Sequence, residues 1–141
     1  MDYKRLALAA VVTWVADAIY GMVVWMGMLG PRMAQYPAVF RAEAAVNANL
    51  PLMFAGSLVA MFVMTYIYAK GYDGGIGIGE GLRYGLLLAL LMTGFVSIPI
   101  YVTFNIGGDI ATLASIASFV EMLLIGVVIG VMYKPAAPAR A

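Results

Sequence analysis

The chain of 141 residues contains no cysteine and no histidine. These absences remove disulfides, thiolate nucleophiles, imidazole bases and the commonest zinc and haem ligands together. Charge is also scarce, with 11% Asp, Glu, Lys and Arg and a net charge of +1. A basic patch or stripe is missing, so nucleic acid is not an expected partner. No nucleophile and base stand in a catalytic pattern, so the chain is not expected to be an enzyme, although two acids could do general acid-base work. No cofactor is expected either. The eleven methionines are scattered through every apolar run and read as packing residues rather than ligands.

What remains is apolar length. Hydrophobic residues make up 65% of the chain, too many for an ordinary water-soluble domain of this size. Four stretches, at about residues 6–28, 50–69, 82–104 and 111–133, are long enough to cross a bilayer as helices. The expected fold is an all-α membrane protein, an up-down bundle of four transmembrane helices forming one domain over residues 1–134. The first stretch bears a central Asp and lacks a small-x-small cleavage site, so it reads as a span retained in the mature protein.

Punctuation sets the expected ends. Leu29, Gly30 and Pro31 close the first span. In the first external loop, Pro37 opens a short interfacial helix over Ala38 to Ala48, with Arg41 and Glu43 among the headgroups. Asn49 caps the second span and Pro51 fits its first turn. Gly71 to Gly81 holds six glycines in eleven residues and reads as a flexible turn. It lacks the spacing of a phosphate-binding loop. Pro99 should kink the third span and free the carbonyl of Phe95, with Ser97 and Thr103 as candidate donors. Asp109 caps the fourth span, and residues 135–141 form a disordered cytoplasmic tail.

Lys4, Arg5, Lys70, Arg83, Lys134 and Arg140 fall on one side of this arrangement, and only Arg32 and Arg41 on the other. Positive charge marks the cytoplasmic face, so both termini are expected there. Tyr66, Tyr68, Tyr72, Tyr84 and Tyr133 suit the same interface. Trp25, Tyr36 and Tyr101 suit the outer one.

Two carboxylates lie deep, Asp17 and Glu121. If the first and fourth helices are neighbours, Asp17 is eleven residues past Leu6 and Glu121 twelve before Tyr133, which places both at one level. Thr13 and Asp17 share a helix face, as do Ser118 and Glu121. Repulsion and burial would leave at least one acid protonated near neutral pH. Such a pair is either a proton site or interhelical glue, and glue carries slightly more weight because no further ionisable residue leads from Glu121 to a surface. Two acids alone are few for a metal cage, and no metal is expected.

Gly81 with Gly85, and Gly126 with Gly130, have GxxxG spacing, which lets helices approach closely. They pack the bundle or dock a partner. Trp14, nearly one turn before Asp17, is too deep for an interfacial anchor.

AIYGMVVW in the first span, GLRYGLLLAL opening the third and LLIGVVIGVMY closing the fourth give the layout a resemblance to small uncharacterised bacterial four-helix membrane proteins, of the kind catalogued as domains of unknown function. The resemblance implies a bacterial inner membrane and no particular activity. Small multidrug transporters also have four helices and an acid in the first, but this chain is longer and has a second deep acid. The leading expectation is a nonenzymatic accessory or structural subunit of a larger complex, in contact with membrane lipid and with other subunits or copies of itself. The alternative is a proton-coupled small-molecule transporter using the paired carboxylates.

Overall fold

A computed structural model describes residues 2–133. The described chain forms four long helices, each long and apolar enough to cross a membrane. They are α1 (Tyr3–Met33), α2 (Glu43–Lys70), α3 (Gly77–Thr103) and α4 (Gly108–Met132). The expected tail at 135–141 lies outside the described residues.

Short connections run the helices alternately up and down, and α1 packs against both α2 and α4 while α3 packs on α4. The start of α1 is fixed by Asp2, whose carboxylate accepts from the backbone N–H groups of Lys4 and Arg5, both at 3.1 Å. This satisfies two of the donors that a helix leaves free at its first turn.

The helices overrun several expected ends. Pro31 does not stop α1, and Pro99 does not break α3. In each case the proline follows a stretch wound more loosely than an α-helix, Gly21–Leu29 in α1 and Thr93–Ser97 in α3. A proline ring collides with the carbonyl four residues back, here Gly27 and Phe95, and both lie inside the widened stretch. The widening gives the ring room. Neither expected donor reaches Phe95, since the Thr103 hydroxyl donates to the carbonyl of Pro99 instead and Ser97 has no hydrogen bond among the described residues.

The separate interfacial helix expected at Ala38 to Ala48 is absent. Residues 37–40 form turns, Ala42 is extended, and Glu43 begins the helix that continues through Pro51 to Lys70. Pro51 deprives only the carbonyl of Asn47, an exposed residue whose carbonyl needs no partner inside the protein. Asn49 therefore lies within α2 rather than at its cap, with its amide donating to the Ala45 carbonyl at 2.7 Å. Asp109 likewise sits in the first turn of α4, which is capped by Gly107.

The glycine-rich turn is also shorter than expected. It ends at Ile76, and Gly77, Gly79 and Gly81 are helical. Helix propensity argues against this, but packing outweighs it. Gly77, Gly81 and Gly85 are buried where α3 crosses Gly126 and Gly130 of α4. A methyl built on Gly85 would stand 2.7 Å from the Met122 carbonyl oxygen, and one on Gly130 would stand 2.7 Å from the Gly81 Cα. Only glycine permits this approach.

The core gathers at the end of the bundle where the described chain begins and finishes. Leu6, Ala9, Met61, Tyr68, Ala89, Met122, Ile125, Ile129 and Tyr133 form one buried cluster. Tyr68 lies at its centre, with the rings of Tyr84, Tyr72 and Tyr133 at 5.4, 5.8 and 6.2 Å. Tyr84 ties α3 to α2 by donating to the Met64 carbonyl at 2.7 Å. Beyond the level of Asp17 and Glu121, the buried apolar residues are few: Leu29, Ile110 and Ala117, with Ala89 just past that level. The acids thus stand where close packing gives way to an open far half.

Candidate functional site

Asp17 and Glu121 meet between α1 and α4, with their carboxyl groups within hydrogen-bond reach of each other. Both are half-buried. Two carboxyl groups hydrogen-bond only when one holds a proton, because an ionised carboxylate has acceptors and no donor. The arrangement can hold one proton between the two carboxyl groups.

Two aromatic residues of α1 complete the setting. Tyr20 donates to the carbonyl of Ala117, one turn along α4 from Glu121, at 2.7 Å. Trp25 donates its indole N–H to Glu121, with Nε1 at 3.1 Å from both Oε1 and Oε2. This contact depends on the loosely wound stretch of α1. Eight residues of regular α-helix from Asp17 to Trp25 would turn about 80° past two full circles, carrying Trp25 off the acid face. Looser winding from Gly21 turns less per residue and returns Trp25 toward that face. Side chains on a helix lean toward its N-terminus, so the indole reaches back along α1 over Glu121.

The other sequence candidates are placed differently. Thr13 is fully buried, but its hydroxyl donates to the Ala9 carbonyl of its own helix at 2.7 Å. Ser118 is half-buried and makes no hydrogen bond among the described residues. Neither joins the acids through a hydrogen bond. Gly81, Gly85, Gly126 and Gly130 face one another inside the chain, so this small-residue face is packed rather than free. Trp14 donates to the Phe54 carbonyl and to Ser57 Oγ, both at 3.0 Å, and joins α1 to α2.

Trp25 and Tyr20 are the members of the site that spacing did not reveal. Trp25 looks like an interfacial anchor when counted along a regular helix. The available signal was Gly21 and Gly27 around it with Pro31 close behind, a combination that permits loose winding. Among the described residues, no three His, Cys, Asp or Glu side chains converge as a metal centre would require. No protein-family model, curated protein or solved structure matches the chain.

Proposed function

We propose that this chain is a multi-pass protein of a bacterial inner membrane, with both termini cytoplasmic, and that it acts as a proton-coupled small-molecule transporter. The meeting of Asp17 and Glu121 carries the proposal. Intramembrane carboxylates are expensive to bury and mark ion paths and relays in transporters. Here the two acids lie on different helices, at the boundary between a packed half and an open one. A proton held between them stabilises the contact of α1 with α4, and its loss leaves two carboxylates in repulsion. Occupancy of the site is thereby coupled to helix position, which is what a transporter needs from its driving ion.

The test uses purified protein reconstituted in vesicles containing a trapped pH-sensitive dye and challenged with a panel of small organic solutes. Wild type should couple the entry of at least one solute to proton movement. Asp17→Asn and Glu121→Gln should fold and be silent. Equal responses from wild type and both variants would overturn the proposal.

An accessory role in a larger complex is the second reading. The packed glycine face no longer favours it, but the far half of α2 does. From Glu43 to Gly56 only Leu50 and Phe54 are even half-buried, and Leu52 is 73% exposed. Lipid or another subunit would cover that surface. Mild purification with identification of co-migrating proteins separates the two, since a stoichiometric membrane partner favours the accessory role and a monodisperse chain removes it.

A further inference from the structure

We infer that Trp25 sets the ionic specificity of the acid pair, admitting a proton and keeping metal cations out. The inference rests on the proton-site proposal above and adds what determines the ion.

A hard cation binds a carboxylate through its oxygen lone pairs, often through both oxygens at once from a position between them. Trp25 Nε1 occupies that position on Glu121, at 3.1 Å from each oxygen. The indole N–H is a donor and never an acceptor, so the positive end of its dipole points to where a cation would sit. The remaining reach of Glu121 is toward Asp17, whose carboxyl lies within hydrogen-bond distance. A proton fits between two carboxyl oxygens without displacing the indole. A metal ion needs several oxygens at once and cannot gather them while the N–H is in place.

The nearby oxygens would otherwise suit such an ion. Asp17 and Glu121 offer two carboxyl groups, and the Ala117 carbonyl, one turn along α4 from Glu121, pairs with the Tyr20 hydroxyl. These are the ligand types that calcium takes. Trp25 is thus the donor that turns an oxygen-rich pair away from cation binding. The loosely wound stretch of α1 is the device that brings it there.

Trp25→Phe keeps an aromatic ring and removes the N–H. Isothermal titration of the purified protein in detergent with calcium chloride reads the result. Wild type should show no saturable heat, whereas Trp25→Phe should show a saturable heat at about one calcium ion per chain, and adding Glu121→Gln should abolish it. A folded Trp25→Phe protein that binds no calcium, or a wild type that binds it equally well, would overturn the inference.

If Trp25→Phe does not fold, wild-type protein with ¹⁵N-labelled tryptophan gives the answer. One of its two indole N–H resonances should move in Glu121→Gln and stay fixed as calcium is added. Movement of that resonance on adding calcium would count against the inference. Failure of the transport proposal is separately visible, because silent wild-type vesicles alongside calcium gained by Trp25→Phe would remove transport and leave the role of Trp25 standing.

Discussion

Gly81 and Gly126 meet backbone to backbone, and a methyl built on either falls against the carbonyl oxygen of the other. The α3–α4 contact is therefore reciprocal and has no side chain that could yield. Gly81→Ala and Gly126→Ala are each expected to lower stability by about 1–3 kcal/mol, the usual cost of overpacking a tight contact. Thermal unfolding in mild detergent measures it. Gly79→Ala, where nothing lies within 4 Å of the added methyl, is the control and should be neutral or slightly stabilising.

Glu121 is the acceptor that ties Trp25 to α4. Glu121→Ala removes that acceptor and is expected to cost about 1–3 kcal/mol, whereas Glu121→Gln keeps an acceptor oxygen and should cost less. Unfolding midpoints in mild detergent measure both. Equal losses in the two variants would contradict a stabilising contact with the indole N–H.

Trp14 should matter for stability and not for the acids. Its indole N–H is the polar link from α1 to the Phe54 carbonyl and Ser57 Oγ, and its ring meets Phe54 edge to face at 6.2 Å. Trp14→Phe should cost about 1–2 kcal/mol, the value of a lost hydrogen bond with an acceptor left inside the protein. Denaturant midpoints report the loss, and the calcium titration of the Trp25→Phe background should be unchanged by it.

Cysteine accessibility tests the proposed orientation. Ala42 and Asn105 are exposed in the loops at the far end, and Asp73 is exposed in the loop at the opposite end. In intact cells, single cysteines at 42 and 105 should react with an impermeant reagent and one at 73 should not. These positions avoid Gly107, where an added side chain would strike the Tyr36 hydroxyl, and Gly74, whose φ of +89° suits glycine. A reversed labelling pattern would place both termini outside.

The existence of four helices was legible because an apolar run of about twenty residues admits few other structures. Their ends were less so. Pro31, Pro51 and Pro99 each read as a boundary or kink, yet loose winding accommodates two of them and an exposed carbonyl accommodates the third. The level shared by Asp17 and Glu121 followed from counting residues, because rise per residue is nearly fixed and short connections make antiparallel neighbours. The part played by Trp25 did not follow from counting. Its direction depends on how many residues make a turn, and packing settles that number where the sequence leaves it open. The glycines at 77, 79 and 81 were misread for a related reason, since flexibility is a property of the isolated segment and close approach is a property of the pair.

A bundle bound tightly at one end and loosely at the other is a lever. From Gly85 to Thr103, α3 extends eighteen residues past its last glycine contact, a reach of about 27 Å at the usual helical rise. A rotation of about 5° on the glycine seam would swing the tip by about 2 Å over that reach. The glycines of the seam carry no side chains to lock its angle, and the Tyr84 bond to the Met64 carbonyl holds α3 at its near end. Small changes of fit beside Met122 and Gly126 would thus be amplified into large displacements at the distant loops, and Glu121 is the immediate neighbour of the first of these residues.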